Sequence, residues 1–340
     1  MLRGLVVATA LLFLLSSSPT SLLPPSLLPL SDGQTSTLVT ALRWLLAVCL
    51  VLEVNAGLGR WAERNWLWRD DKSVWNWPKE VAVVTGGSRG IGAAVAKKLA
   101  TYGIRVAVLD VQPFSDDLEN DKSNRIRFYR CDITSRQAVH EAGEAVRSDI
   151  GEPSILVNNA GIGNANSILD VTPQRLRAIF DINLLSHWNT VQEFLPAMIA
   201  KKKGHIMANA SLAAFSAGAG MTDYSCTKAG VQAFHEGLTQ ELKHRYHAPQ
   251  IKTSIVYPNW TRTKLTSYLN EQFQKAKTPV VEPEQVAEAM LKQIIAAKGG
   301  HVILGPTIAA SIRALPTWIQ ELIRDSQAQM VTVNATSAVA

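Results

Sequence analysis

The run VAVVT at 81–85 passes directly into the glycine loop GGSRGIG and then into AAVAKKLA, a stretch with helical character. No other feature narrows the choice of fold as much. A strand that ends in glycines and feeds a helix sends the chain back across the sheet face, so its next strand pairs in parallel. The same beat then repeats. RVAVLD, IRFYRCD, ILVNNAG, GHIMANAS and KTSIVYP read as strands, and the segments between them have helix length and apolar spacing. The predicted class is α/β, a doubly wound parallel sheet forming one catalytic domain over residues 81–306.

The loop itself suggests a ligand. Gly86, Gly90 and Gly92 permit a tight turn and a close approach of backbone to a pyrophosphate, which the positive end of the following helix attracts. Ser88, Arg89 and Ile91 lie in the same loop. Asp110 ends the next strand, where a carboxylate accepts hydrogen bonds from ribose hydroxyls and repels an added phosphate, so the predicted cofactor is NAD in a Rossmann-type site. Arg89 offers a partner for a 2′-phosphate, which keeps NADP as the alternative.

YSCTK at 224–228 places a phenol and an amine at i and i+4, on one helix face. A free tyrosine titrates near pH 10, and a neighbouring ammonium together with an oxidised nicotinamide is expected to lower Tyr224 into the range of a proton shuttle. Ser211, at the end of GHIMANAS, is expected to turn its hydroxyl toward the same substrate oxygen. Asn183 lies in FDINLLSHW.

Taken in order, TGGSRGIG, the acidic strand end, Cys131-Asp132, NNAG, Asn183, Ser211 and YSCTK make the chain resemble the short-chain dehydrogenase/reductase family from about residue 81 to at least 306. The resemblance implies that Tyr224 is the acid/base, that Ser211 polarises the carbonyl or alcohol, and that Lys228 lowers the tyrosine pKa and binds the nicotinamide ribose. It further implies that Asn183 holds a water linking Lys228 to solvent. Asp132 with Ile133 would meet the adenine, Asn158, Ala160 and Gly161 the adenosine side, and Pro258 with Thr263 the carboxamide side. No metal is implied. One departure is Asn259, which follows Pro258 where the family usually has glycine; asparagine tolerates positive φ better than most residues.

The first 59 residues differ in character. An apolar run at 5–15 follows Arg3, a Ser/Pro-rich stretch covers 16–34, and a second apolar run at 38–59 contains Arg43 and Glu53. A signal peptide, membrane segments and an apolar tail compete here, and the reading adopted for 1–59 is membrane association. Residues 60–80 hold five of the nine tryptophans and read as an interfacial linker, a collar packed on the domain being the alternative, with Arg60, Arg64, Arg69, Lys72 and Lys79 placing the catalytic domain on the cytosolic side. The layout resembles the membrane-associated retinol and hydroxysteroid dehydrogenase branch. It implies a lipophilic substrate and an endoplasmic reticulum or lipid-droplet location.

Residues 263–283 occupy the place of a substrate lid, with Leu265, Tyr268, Leu269 and Phe273 either lining a greasy pocket or packing the lid itself. Ile312, Leu315, Ile319, Leu322 and Ile323 recur at helical spacing and predict an amphipathic C-terminal helix within 307–340. The net charge of +6 is spread thinly, so nucleic acid is not an expected partner. Lys201, Lys202 and Lys203 read as the solvated end of a helix. Cys49, Cys131 and Cys226 have neither disulfide nor zinc spacing. A homodimer through the helices of Asn183 and Tyr224 is implied by the resemblance. An NADP-dependent carbonyl reductase and a non-catalytic membrane scaffold are the alternatives.

Overall fold

The computed structural model describes residues 4–9, 11, 32–67, 72–119, 123–163, 165–275, 277–328 and 330–331. Residues 10 and 12–15 of the first apolar run, nearly all of the Ser/Pro-rich stretch, Trp68 and Arg69 lie outside them. Contacts divide the chain into two units, 1–68 and 69–340.

The first unit is dominated by helix α1, Asp32–Glu63. Its stretch Val39–Glu63, 25 residues long, is apolar enough to cross a membrane; at 1.5 Å per residue it spans roughly 37 Å against a hydrocarbon core of about 30 Å. Trp44, Leu45, Val48 and Val51 are exposed along it. Trp61 and Trp66 meet edge to face at 5.0 Å near its end.

The second unit is the α/β body. Its strands and main helices run β1 Val81–Thr85, α2 Gly90–Thr101, β2 Arg105–Asp110, β3 Ile126–Arg130, α3 Arg136–Ile150, β4 Ile155–Asn158, α4 Pro173–Phe180, α5 Ser186–Ala200, β5 His205–Asn209, α6 Thr222–His244, β6 Lys252–Pro258, α7 Pro283–Ile295, β7 Gly300–Leu304 and α8 Thr317–Gln327. The sheet order is β3-β2-β1-β4-β5-β6-β7, every pair parallel. Order reverses between β1 and β4, which opens a crevice at the carboxyl ends of those strands. The predicted doubly wound sheet is present, with a seventh strand, HVIL plus its leading glycine, that the sequence pattern did not separate from the loop before it.

Each sheet face carries its own core. Val95, Leu99, Val286, Met290 and Ile294 from α2 and α7 cover one face; Val139, Val146, Phe194, Met198 and Leu242 from α3, α5 and α6 cover the other. Strands buried on both sides read as continuous apolar runs, which is why VAVVT and VAVL show no alternation. Between α3 and α5, His140, Glu144 and Glu193 converge. Glu193 already pairs there with Arg136 at 3.4 Å and with Arg147, and two guanidiniums repel a cation.

Within the tryptophan segment, Trp75 and Trp77 follow the collar alternative. Trp75 and Trp77 stack at 5.0 Å and pack on the core under α2 and α7, and Lys203 lies 4.9 Å over the Trp75 ring. Glu80 is buried and accepts from Ser154 Oγ at 2.6 Å, from Asn76 N at 3.0 Å and from Lys203 Nζ. A buried carboxylate needs those donors. Two of the five tryptophans therefore form a packed collar on the catalytic body, and Lys203 is a structural cation, unlike the exposed Lys201 and Lys202.

The C-terminal prediction also changes. Pro316 breaks the single amphipathic helix into a 3-10 turn, Thr307–Ala314, and α8. Ile312 is buried against β5 and β6 while Trp318 and Leu322 are exposed.

Candidate active site

The crevice at the carboxyl ends of β1 and β4 gathers nearly every residue singled out in the sequence. Gly86 and Gly90 take φ of +61° and +56°, conformations open to glycine. A Cβ on Gly92 would lie 2.2 Å from Gly86 O. The loop therefore folds onto itself at backbone distance, which only glycine allows. Arg89 caps α2 without a side-chain hydrogen bond, leaving the first-turn amides facing the crevice. A dinucleotide pyrophosphate fits this helix end.

Asp110 accepts from Ser88 N and from Gln112 N, both at 3.0 Å. Ser88 is fully buried, its hydroxyl donating to Gln112 O at 2.8 Å. The carboxylate is thus locked between glycine loop and β2, at the expected ribose position. Arg89 is exposed. Asp132 accepts from Thr134 N at 2.9 Å at an exposed corner after β3, next to buried Ile133. Asn158 points away, toward α5, accepting from Thr190 Oγ1 at 2.8 Å. Ala160 sits against Gly86, and the Cγ2 of Thr263 lies 3.4 Å from where a Gly90 Cβ would stand. Pro258 ends β6. Asn259 does not adopt positive φ; its amide instead donates to Leu304 O at 2.9 Å, so the glycine of the family pattern is replaced without a left-handed turn.

Two residues that sequence reasoning missed tie the site together. Asn159 Nδ2 donates to Thr85 O and Gly86 O, both at 3.1 Å, and its Oδ1 accepts from Asn209 Nδ2 at 2.9 Å. Asn209 O in turn accepts from Lys228 Nζ at 2.8 Å. One chain of bonds thus runs from glycine loop to lysine. The second Asn of NNAG was the available signal for it; nothing in sequence distinguished Asn209.

Tyr224 and Lys228 lie one turn apart near the start of α6, with the ammonium 5.5 Å from the phenol ring centre. Lys228 is buried, and burial lowers its pKa to about 8. Burial raises Tyr224 to about 12, while the Ser211 hydroxyl works in the opposite direction and the nearby Tyr268 adds to the rise. Among the protein groups alone desolvation outweighs the hydroxyl; the expected lowering counts on an oxidised nicotinamide as well as on the ammonium. Ser211 caps the 3-10 turn Leu212–Ala214, its Oγ accepting from Ala213 N at 3.2 Å.

Asn183 sits in a π-helical turn, Asp181–Leu185, that joins α4 to α5. The wider turn rotates its amide inward, a common device at functional sites. Its Oδ1 accepts from Ile162 N at 2.8 Å, and its Nδ2 donates to Ile162 O at 2.8 Å and Thr227 Oγ1 at 3.2 Å. In this state Asn183 clamps the loop after β4 onto α6. A Cβ on Gly161 would stand 3.3 Å from Asn183 Oδ1 and 3.8 Å from Lys228 Nζ.

The lid divides its apolar residues. Leu269 and Phe273 are buried against Ala165, Val331 and Trp260, whereas Leu265 and Tyr268 are exposed.

The family model described as short chain dehydrogenase matches residues 80–274. The chain is similar to dehydrogenase RED2 of Cochliobolus heterostrophus, 40% identical over 183 residues covering 54% of this chain and 68% of that one. It is also similar to epidermal retinol dehydrogenase 2 of Homo sapiens, 28% identical over 230 residues covering 64% and 72%. A solved short chain dehydrogenase/reductase from Burkholderia phymatum in complex with NAD shares the fold with a TM-score of 0.62 at 22% identity, covering 72% of this chain and 95% of its own.

Proposed function

The chain belongs to the short-chain dehydrogenase/reductase family and is an NAD(P)-dependent oxidoreductase acting on CH–OH groups; from that premise we propose that it moves hydride between a lipophilic alcohol, or its carbonyl, and NAD(H) at a membrane surface. What carries the reading is the convergence of Ser211 and Tyr224, both part-buried, with buried Lys228, which also lies near Gly161 of the loop after β4. Bound cofactor supplies the hydride acceptor or donor. Tyr224 Oη takes the hydroxyl proton in oxidation and returns it in reduction. Ser211 Oγ holds the substrate oxygen beside that phenol, and Lys228 keeps positive charge near it while protonated. Asn183 holds the loop after β4 to α6 through Ile162 and Thr227. A panel of retinoids, steroids and fatty alcohols with each cofactor tests this, and no turnover on any of them would favour the scaffold.

NAD is the proposed cofactor: supporting it, Asp110 ends β2 with its carboxylate held by Ser88 N and Gln112 N, and a carboxylate there repels an added 2′-phosphate. Asp110→Ala is expected to shift the ratio of NAD to NADP affinity toward NADP by at least about tenfold, since one ion-scale repulsion of 1.4 kcal/mol is a factor of ten. A wild-type protein that already prefers NADPH would overturn the assignment.

A lipophilic substrate is supported by the similarity to a relative named for retinol, by the exposed Leu265 and Tyr268, and by α1. The catalytic domain is proposed to face the cytosol from the endoplasmic reticulum or a lipid droplet. Full-length protein should stay with membranes through a salt wash, and deletion of residues 1–59 should release it; a soluble full-length protein would sink this part. Exposed Leu185 and Trp188, beside α5, support a homodimer through α5 and α6, which sedimentation of the released form would read directly.

A further inference from the structure

Arg313 lies in the 3-10 turn Thr307–Ala314, after the last strand, and reaches back to the loop that follows β5. Its Nη2 donates to Ala214 O at 2.9 Å and its Nε to Phe215 O at 3.3 Å. Both acceptors belong to the short turn that Ser211 caps. Within it Ala213 N donates to Ser211 Oγ at 3.2 Å, Ala214 N to Ser211 O at 3.0 Å, and Phe215 N to Leu212 O at 3.0 Å. A guanidinium that spans two successive carbonyls with a rigid fork resists unwinding of such a turn, and an ammonium cannot reproduce that geometry.

The arginine is itself held from behind. Gln320 of α8 donates to Leu315 O at 2.8 Å and to Arg313 O at 3.4 Å. Ala309 and Ile312 of the same turn pack with Ala214, Phe215 and Tyr257, with Leu212 against them. A Cβ on Gly305 would lie 2.7 Å from Leu212 Cδ1, so the start of this segment also touches the Ser211 turn closely.

We propose that Arg313 is a positioning residue for Ser211: by clamping the carbonyls of residues 214 and 215, the segment after β7 fixes where the serine hydroxyl stands relative to Tyr224. The inference rests on the roles proposed above for Ser211 and Tyr224. It assigns a task to the C-terminal segment other than substrate cover or membrane contact. Loosening the clamp leaves the cofactor crevice intact, because the glycine loop, Asp110 and Asn159 share no hydrogen bond with Arg313, and it frees the Ser211 hydroxyl, the group that opposes the rise in the Tyr224 pKa, to move away from the phenol.

The test compares full-length wild type, Arg313→Met and Arg313→Lys. Hydrogen exchange of the amides of residues 212–216 is expected to quicken by about tenfold in Arg313→Met and by less in Arg313→Lys, with the sheet amides unchanged. Turnover of a panel substrate is expected to fall by about tenfold in kcat with KM for the cofactor unchanged, and the basic limb of the pH profile to move upward. On a Ser211→Ala background the same Arg313→Met change should cost less than about twofold, because the residue it acts through is gone. Unchanged exchange at 212–216, or an undiminished loss on the Ser211→Ala background, overturns the proposal. The exchange measurement decides the clamp even for a protein that turns over nothing in the panel, an outcome that would count against the dehydrogenase reading alone.

Discussion

Tyr224→Phe is expected to lower turnover of an accepted alcohol by about 10²–10⁴-fold while leaving NAD affinity within about twofold. The substitution removes one oxygen. The ring keeps its place beside Lys228, whose Nζ lies 5.5 Å from the ring centre and stays anchored on Asn209 O at 2.8 Å. The glycine loop and Asp110 are untouched, so binding and chemistry should separate cleanly in a titration and a turnover assay on the same preparation. Equal loss of cofactor binding and turnover would show that the phenol is structural. pH adds a second handle. Burial holds Tyr224 up to about 12, so alcohol oxidation, which needs the phenolate as base, should rise with pH across the neutral range. Lys228, lowered to about 8 by burial, keeps its charge below that value and loses it above. Its share of the phenolate stabilisation therefore weakens as the tyrosine gains its own ionisation. A wild-type rate independent of pH between 6 and 9 would remove Tyr224 from the proton path.

Which parts of this molecule were legible in the sequence follows from how local their causes are. The glycine loop, Asp110 and YSCTK announce themselves because each is fixed by a strand end or one helical turn. Six strands were visible as apolar runs for the same reason. The seventh, Gly300–Leu304, was hidden because its residues are only partly buried at the sheet edge and carry a histidine. The π-helical turn at Asp181–Leu185 has no residue pattern of its own; it exists because Asn183 finds partners on Ile162 and Thr227, far apart in sequence. The upward push on Tyr224 was hidden for a related reason. Spacing showed the ammonium and the hydroxyl that favour the phenolate, but the burial that opposes them belongs to the assembled fold. Five tryptophans in a short stretch read as one belt, yet the partner of Trp75 is Lys203, more than a hundred residues downstream.

Long-range polar contacts of this kind also carry the second large effect. Asn159→Ala should lower unfolding free energy by about 2–4 kcal/mol and weaken NAD binding by about tenfold or more. The side chain amide is the donor for Thr85 O and Gly86 O and the acceptor for Asn209 Nδ2, so truncation strands two carbonyls and a donor at the rim of the crevice. Unsatisfied groups that are part-buried each cost about 1–3 kcal/mol, and water entering the rim recovers some of it. Gly86 is also the residue whose carbonyl stands 2.2 Å from a Cβ on Gly92, and a shift of that carbonyl reshapes the loop that meets the pyrophosphate. Asn159→Asp ranks the mechanism. It preserves volume and the acceptor for Asn209, but it sets a carboxylate against two carbonyl oxygens, and like partial charges repel. If the polar network is the cause, aspartate should be more destabilising than alanine in chemical denaturation, and both should lose cofactor affinity. If packing volume were the cause, aspartate would be nearly neutral and alanine worse, the reverse order. A third arm reads the far end of the network. Because Lys228 Nζ is held at 2.8 Å by the backbone carbonyl of Asn209 in β5, and not by the side chain that meets Asn159, kcat at saturating cofactor should stay within about twofold of wild type, which separates loop distortion from damage to the lysine.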